Sequence, residues 1–302
     1  MELGLVGLGK MGGNMAVRLV RGKHRVVGYA RHPEVVAAVV KEGAEGAFSL
    51  KELVGKLKPP RIVWLMIPSG APVDQTLESL HPLLSRGDLI VDGGNSYYRD
   101  TLRRAALVRS WGFRYVDVGT SGGIWGLTEG YSMMVGGDAP DVEGIRPILE
   151  TLAPGPSKGW GRMGPVGSGH FVKMVHNGIE YGMMQAYAEG FAVLQAKQEF
   201  ALDLHQISEV WRYGSVIRSW LLELTESALA ENPTLKGIEP WVMDSGEGRW
   251  TVIEALDLNV PAPVITLALE QRLRSREGDP FAERLLAMMR NKFGGHEVKR
   301  EG

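Results

Sequence analysis

One stretch near the start of the chain decides its fold: Leu3-Gly4-Leu5-Val6-Gly7-Leu8-Gly9-Lys10-Met11-Gly12. An apolar strand leads directly into a G-x-G-x-x-G fingerprint that opens a helix, the context in which this motif binds a dinucleotide. Gly7 permits the tight turn, Gly9 lets backbone approach a pyrophosphate, and Gly12 allows close helix packing. The helix N-terminus at Lys10 and Met11 supplies amide donors. We therefore predict a dinucleotide site formed by these five residues rather than a plain tight turn.

Short β-rich runs alternate with helical patterns through about residue 165, which is typical of a parallel sheet covered on both faces. The predicted strands are 2–7, 25–30, 61–67, 88–92 and 113–118, with an edge strand at 131–135. Later helices are predicted at 168–198, 203–231, 249–257, 262–276 and 280–291. We predict an α/β fold: a Rossmann-like, doubly wound, mainly parallel sheet over 1–165, then a smaller all-helical substrate and dimerisation domain over 166–302 that ends in a polar tail.

Composition excludes several classes of protein. The 302 residues carry a net charge of −1 without a basic tract, so neither nucleic acid nor an anionic membrane is expected as a partner. Without cysteine there is no disulfide, thiolate nucleophile or sulfur-ligated metal, and no His/Asp cluster has metal-ligand spacing. The chain has no signal-like start and no run of about 18 apolar residues, so we predict a cytoplasmic protein that uses no metal.

The end of the second predicted strand bears on the choice of cofactor. An acidic residue at this point takes the ribose hydroxyls of NAD, but the sequence reads Tyr29-Ala30-Arg31-His32. Arg31 is suited to a 2′-phosphate and to stacking on adenine, although it is also compatible with an ordinary surface arginine. Glu34 follows Pro33 and is expected in the first turn of a helix. The sequence favours NADP and leaves NAD open.

Polar residues interrupt an otherwise apolar helix at 171–194. Lys173, His176, Asn177 and Glu180 follow one another at i, i+3, i+4 and i+7, which places them on one face. Lys173 and Glu180 are about 10 Å apart along the axis, too far to pair easily. Since such a helix should be buried, we predict that the strip lines a cleft. There an amine with a pKa lowered by desolvation is suited to act as a base, and the carboxyl as a separate acid.

Two glycine-rich loops follow predicted strands of the first domain. They read Asp92-Gly93-Gly94-Asn95-Ser96 and Gly119-Thr120-Ser121-Gly122-Gly123. Because ligands of open α/β sheets bind beyond the carboxyl ends of strands, substrate and nicotinamide are expected to meet here, although such loops are also ordinary turns. We also assign cofactor contacts to Asn95 and to Ile67, which ends the strand 61–67.

These motifs resemble the signatures of the decarboxylating 6-phosphogluconate dehydrogenases. The resemblance is carried by Asp92-Gly93-Gly94-Asn95-Ser96, by Ser121-Gly122-Gly123 and by the helix segment 173–181, and extends to 290–296 near the end. In length the chain is similar to the family's short form, within the broader β-hydroxyacid dehydrogenases. The expected activity is therefore the oxidative decarboxylation of 6-phosphogluconate to ribulose 5-phosphate and CO2 by an NAD(P)-dependent enzyme.

The resemblance also implies roles for single residues. It makes Lys173 the general base and Glu180 the general acid, with Asn177 beside them in the catalytic group. Residues implied to hold the sugar acid or its phosphate are Asn95, Ser121, Gly122, Gly123, His176, Asn177, Tyr181 and Arg272, with Arg274 as an alternative register for Arg272. Arg290 and His296 are implied to reach the active site of a neighbouring subunit, which requires a homodimer or homotetramer.

Two departures from the family pattern concern binding. The segment 244–250 lacks the substrate-binding lysine of the long enzymes, and Ala30-Arg31-His32 replaces the Asn-Arg-Thr that holds a 2′-phosphate. Rival functions are a β-hydroxyacid dehydrogenase of the 3-hydroxyisobutyrate type and a non-catalytic NADP-binding sensor, which has no use for the polar strip. An imine reductase is disfavoured because that group usually lacks the lysine found here at Lys173.

Overall fold

The computed structural model describes residues 1–278, 280–294 and 297–299. Among them, eight strands form one sheet in the order β3-β2-β1-β4-β5-β6-β7-β8. All neighbours pair in parallel except β6 and β7, which are antiparallel. The strands are β1 (Glu2–Val6), β2 (Arg25–Tyr29), β3 (Glu45–Ala47), β4 (Ile62–Leu65), β5 (Leu89–Asp92), β6 (Arg114–Ser121), β7 (Ser132–Gly136) and β8 (Trp160–Gly164).

Helices connect these strands and make up most of the later chain. Those of the first part are α1 (Lys10–Arg21), α2 (Pro33–Lys41), α3 (Leu50–Gly55), α4 (Ala71–Leu80), α5 (Tyr98–Ser110), α6 (Gly126–Glu129), α7 (Ala139–Gly144) and α8 (Arg146–Leu152). The later ones are α9 (Ser168–Ala196), α10 (Leu204–Trp211), α11 (Trp220–Glu231), α12 (Glu247–Asp257), α13 (Pro263–Arg274) and α14 (Phe281–Gly294).

The chain forms two compact units, 1–178 and 179 onward. In the first, apolar side chains from both faces of the sheet pack under the helices in two clusters, one with Leu3, Leu5 and Leu19 and one with Leu65 and Ile90. The second unit is helical. This confirms the predicted α/β class with a mainly parallel sheet and a helical second part. The exact boundary after residue 165 stays a prediction.

Several predicted elements were wrong in extent. The helix predicted over 203–231 is two helices, because Gly214 adopts a φ of +72° and Ser219 caps α11. The strand at 131–135 is β7, and it is not at the edge, since β8 pairs beyond it. The apolar helix at 171–194 was expected to be buried, yet Ile179 and Val193 are 53% and 71% exposed in the single chain.

None of the described helices is both long and apolar enough to span a membrane. The predicted cytoplasmic location stays a prediction.

Candidate active site

The glycine fingerprint occupies the turn between β1 and α1. Gly7 has a φ of +94°, and a Cβ there would lie 2.3 Å from the carbonyl oxygen of Met66. A Cβ at Gly12 would lie 2.0 Å from the carbonyl oxygen of Gly7, so helix and turn pack backbone to backbone. At Gly9, by contrast, a Cβ would meet nothing within 4 Å. The open face of the turn therefore lies at Gly9.

The N-terminus of α1 is suited to an anion. It has no side-chain cap and no acidic residue in its first turn. Lys10 is exposed and Met11 half-buried at this end. Free amides and the positive end of the helix dipole attract phosphate groups, so these residues fit the pyrophosphate of a dinucleotide. Ile67 follows β4, the next strand beyond β1, where the order of the sheet reverses.

Arg31 is exposed just before α2, as an arginine that meets a ribose phosphate needs to be. Glu34 lies in the first turn of α2, as predicted, and its Oε1 is 3.7 Å from Nδ1 of His32.

The loop after β5 rests on buried polar groups. Asp92 is fully buried and accepts hydrogen bonds from the Ser96 hydroxyl at 2.8 Å, the Tyr115 hydroxyl at 3.1 Å and the Gly94 amide at 3.3 Å. Burial raises the pKa of Tyr115 well above its ordinary value, aided by the Asp92 carboxylate, so this hydroxyl stays a donor. Asn95 is exposed between the two anchored residues Gly94 and Ser96.

A buried arginine backs the same loop. Arg104 on α5 donates to both carboxylate oxygens of Asp74, at 2.9 and 3.1 Å, and to the Ser96 hydroxyl at 3.3 Å. The Arg104 guanidinium holds the pKa of Asp74 below its ordinary value, chiefly through these hydrogen bonds.

The end of β6 leads into the second glycine-rich loop. Gly122 and Gly123 have φ angles of +127° and +52°, in the region that favours glycine, and Ser121 is half-buried beside them.

The N-terminus of α9 is fixed to β6 by a carboxylate. Asp117 accepts from the Gly167 amide at 2.7 Å and the His170 amide at 2.9 Å, while Nδ1 of His170 lies 2.7 Å from the Thr101 hydroxyl. Burial raises the pKa of Asp117 despite these two amide donors. The helix also approaches the strand very closely, since a Cβ at Gly119 would lie 2.3 Å from Cβ of Lys173.

Three residues of the predicted polar strip contact one another on α9. Lys173 is 5% exposed and its Nζ donates to Oδ1 of Asn177. Nδ1 of His176 lies 3.3 Å from the same Nζ and 3.1 Å from Oδ1 of Asn177. The chain thus buries an amine with an amide oxygen and an imidazole beside it, an arrangement suited to moving a proton. Glu180 follows on the same continuous helix and is half-buried.

In the second unit, Tyr181 and Arg272 form a stacked pair. The Arg272 guanidinium carbon lies 3.4 Å from the centre of the Tyr181 ring, and its Nη1 donates to the carbonyl oxygen of Met243 at 3.0 Å. The Tyr181 hydroxyl lies 3.3 Å from Oγ of Ser245. Arg274 instead forms an ion pair with Glu283 at 2.7 Å. Of the two arginines, Arg272 is therefore the one held beside Tyr181.

Arg290 is exposed on α14, and His296 lies outside the described residues. Within the described parts of the chain, no group of three or more His, Cys, Asp or Glu residues is arranged to hold a metal ion.

Sequence reasoning missed Asp92, Arg104 and Asp117 as supports of the site. A signal for Arg104 was present, because it shares a helical face with Thr101, Ala105 and Val108, all of which are buried. An arginine on a buried face requires a fixed acceptor.

Two family models match the chain. The model for the NAD-binding domain of 6-phosphogluconate dehydrogenase covers residues 2–164, and the model for the 6-phosphogluconate dehydrogenase C-terminal domain covers residues 169–301.

Relatives match over the full length. The Bacillus subtilis protein YqeC, whose naming as a 6-phosphogluconate dehydrogenase is itself provisional, is 46% identical over 301 residues and 100% of both chains. The NAD(+)-dependent, decarboxylating 6-phosphogluconate dehydrogenase of Haloferax volcanii is 45% identical over 100% of this chain and 99% of its own. A solved structure of Plasmodium falciparum 6-phosphogluconate dehydrogenase is similar at a TM-score of 0.84 and 30% identity, covering 100% of this chain and 66% of that one.

Proposed function

Because the chain belongs to the 6-phosphogluconate dehydrogenase family, we propose that it converts 6-phosphogluconate to ribulose 5-phosphate and CO2 while reducing NADP or NAD. The observation that carries this proposal is the buried amine of Lys173, bonded to Asn177 and flanked by His176 on the helix that also bears Glu180. A non-catalytic dinucleotide sensor would need only the glycine fingerprint. It would not account for the buried amine of Lys173, whose burial costs free energy.

Gly7, Gly9, Lys10, Met11 and Gly12 would hold the pyrophosphate of the cofactor at the open end of α1. Ile67 and Asn95 would hold the nicotinamide half. When bound, the cofactor accepts a hydride from the sugar acid.

Arg31 would bind a 2′-phosphate. Ala30 occupies the position where an acidic residue would bind the ribose hydroxyls of NAD, so we favour NADP. The Haloferax relative is named NAD(+)-dependent, and both cofactors are therefore tested below.

Lys173 would begin the reaction as a general base. In its neutral form it takes the proton of the C3 hydroxyl as that carbon is oxidised to a ketone. The resulting ammonium then stabilises the negative charge that develops on the ketone oxygen as C1 leaves as CO2. Asn177 and His176 orient the amine through the contacts described above. Because the β-keto group accepts the electrons of the breaking bond, the step needs no metal.

Glu180 would complete the reaction as a general acid. It gives its proton to C2 of the sugar acid, which becomes C1 of ribulose 5-phosphate, as the enolate left after CO2 departs returns to a ketone. Two helical turns separate Glu180 from Lys173, about 10 Å along the axis, which keeps the two proton transfers on different groups. This division matches a reaction whose first and last steps involve different carbon atoms.

The remaining residues would recognise the substrate. Asn95, Ser121, Gly122, Gly123, His176 and Asn177 would hold the sugar acid. Tyr181 and Arg272 would bind the phosphate, and the stacked guanidinium keeps its planar fork ready for a bidentate contact. This supports Arg272 over Arg274, which Glu283 already neutralises.

We propose a homodimer or homotetramer in which Arg290 and His296 reach the neighbouring active site. Apolar side chains exposed on the second unit, among them Val193 and Val264, support an interface. A Lys173→Met variant and an Arg290→Ala variant should each be inactive alone. Refolded together at equal amounts they should recover about a quarter of wild-type activity, since half the dimers are mixed and each has one complete site. Absence of recovery would contradict the shared site.

Steady-state kinetics test the proposed function. The purified protein is assayed with 6-phosphogluconate, gluconate and 3-hydroxyisobutyrate, each with NADP and with NAD. We expect kcat/KM for 6-phosphogluconate to exceed that for the unphosphorylated acids by at least about a hundredfold, since a site built for a charged group rejects substrates that lack it. Lys173→Met serves as the inactive control. A preference for 3-hydroxyisobutyrate would assign the chain to the β-hydroxyacid reaction instead.

A further inference from the structure

Arg104 is completely buried although it is an arginine, and its hydrogen bonds lead in two directions. On one side it donates to the Asp74 carboxylate and, at 2.9 Å, to the carbonyl oxygen of Gly70. On the other side its Nη1 donates to the Ser96 hydroxyl at 3.3 Å. Its exposed fraction is 0%, so it does not itself face solvent or a ligand.

These partners belong to two different loops at the carboxyl edge of the sheet. Gly70 and Asp74 lie at the start of α4, in the connection that follows β4. Ser96 lies in the loop after β5, and its hydroxyl donates a hydrogen bond to the Asp92 carboxylate. The two loops also touch directly, since a Cβ at Gly94 would lie 2.9 Å from the carbonyl oxygen of Ile67. Arg104 is therefore a bridge between the loops that carry Ile67 and Asn95.

We propose that Arg104 is a positioning residue, which sets the distance between these loops and thereby the affinity for cofactor and for substrate. This inference rests on the proposed binding roles of Ile67 and Asn95. A guanidinium is suited to the task because its planar fork reaches Asp74, Gly70 and Ser96 from one point. Asn95 has both chain neighbours anchored, Gly94 by Asp92 and Ser96 by Asp92 and Arg104, while its own side chain stays exposed.

A second buried ion pair offers a matched control at the opposite end of the same strands. Arg61 precedes β4 and Asp88 precedes β5, and their side chains meet at 3.0 Å with Asp88 fully buried. This pair joins the amino ends of β4 and β5, away from the ligand edge of the sheet. Loss of Arg61 removes an ion pair at the amino ends of β4 and β5, and loss of Arg104 removes one between α4 and α5, the helices that follow these strands. Only Arg104 supports the loops of the site.

The experiment compares Arg104→Gln with Arg61→Gln at a temperature where circular dichroism shows both to be folded. We measure the Kd for NADPH by fluorescence titration without substrate, then KM and kcat for 6-phosphogluconate. In Arg104→Gln we expect Kd and KM to rise at least about tenfold over those of Arg61→Gln, because small displacements of a binding group have large effects. Thermal stability should fall in both variants.

Equal Kd and KM values in the two variants, within about twofold, would overturn the proposal and leave Arg104 a purely structural residue. If Arg104→Gln does not fold, Ser96→Ala replaces it, because loss of the Ser96 hydroxyl breaks the bridge. Kd and KM values that stay unchanged in Ser96→Ala would likewise overturn the proposal. Failure of the proposed function is distinguished from these results. A wild-type protein that binds NADPH but does not oxidise 6-phosphogluconate refutes the substrate, whereas the Kd comparison still tests the bridge.

Discussion

Replacing Gly119 by alanine should move the helix that carries the buried lysine. The added methyl carbon would lie 2.3 Å from Cβ of Lys173 and 2.8 Å from the carbonyl oxygen of Gly169. Carbon atoms pack at about 3.5–4.0 Å, so strand and helix must separate by roughly 1 Å. A rotamer change cannot relieve the contact, because one atom is a Cβ and the other is backbone. Asp117 meanwhile fixes the start of the same helix, so the strain falls on Lys173.

The substitution should have a modest effect on stability and a large effect on turnover. Overpacking of this kind costs about 1–3 kcal/mol of unfolding free energy. Displacement of a catalytic group by roughly 1 Å lowers turnover on the order of a hundredfold. We therefore expect Gly119→Ala to remain folded and to lose most of its kcat. It should bind NADPH normally through the turn between β1 and α1, because β4 and β5 separate β1 from β6 in the sheet.

The assay combines urea unfolding with saturation kinetics on 6-phosphogluconate. Gly144→Ala is the matched control, because a Cβ at Gly144 meets nothing within 4 Å and its backbone φ is ordinary. It should change neither quantity appreciably, since surface substitutions stay within about 0.5 kcal/mol. A kcat for Gly119→Ala within about threefold of wild type would refute the reasoning that the close strand–helix contact positions Lys173.

Three further predictions concern single groups. Asp117→Asn should lower the unfolding free energy by about 1–3 kcal/mol in urea titrations, because an amide offers one acceptor oxygen where Gly167 and the following turn need two. Burial lowers the pKa of His24, whose Nε2 bonds to the Thr151 hydroxyl. The neutral imidazole therefore contributes its full stabilisation above about pH 6.5 and loses it as the pH drops through the pKa of the folded state. Between about pH 7.5 and 5.5, the free energy of unfolding should depend less on pH in His24→Gln than in the wild type. Glu180→Gln should reduce kcat by roughly 10²–10⁴ while the Kd for NADPH is unchanged, as measured by kinetics and titration, and near-normal turnover would remove Glu180 as the acid.

The sequence pattern predicted those strands and helices whose own residues favour the structure they adopt. The fingerprint at Gly7 follows an apolar run and opens a helix, so β1 was predicted to within one residue and a helix was predicted to follow the fingerprint. The strand β3 was missed because Glu45-Gly46-Ala47 has no β-branched residue, and β8 because two of its five residues are glycine. Both strands are held by their neighbours in the sheet rather than by their own propensity.

The partners of residues that join distant segments could not be predicted from periodicity. Asp117 lies in a buried strand and caps a helix that begins about fifty residues later, and nothing in its neighbourhood specifies that partner. The exposure of Val193 has a related cause, since an apolar helix was read as one buried within its own chain. Lys173, His176 and Asn177 were found together because i, i+3 and i+4 positions meet on any helix.

The most direct test of the account is the stoichiometry of products. Pure protein is given 6-phosphogluconate labelled with carbon-14 at C1, and released CO2 is counted while nicotinamide reduction is followed in the same vessel. The account predicts one labelled CO2 for each reduced cofactor, with both signals abolished in Lys173→Met. Reduction without labelled CO2, or labelled CO2 that persists in Lys173→Met, would contradict it.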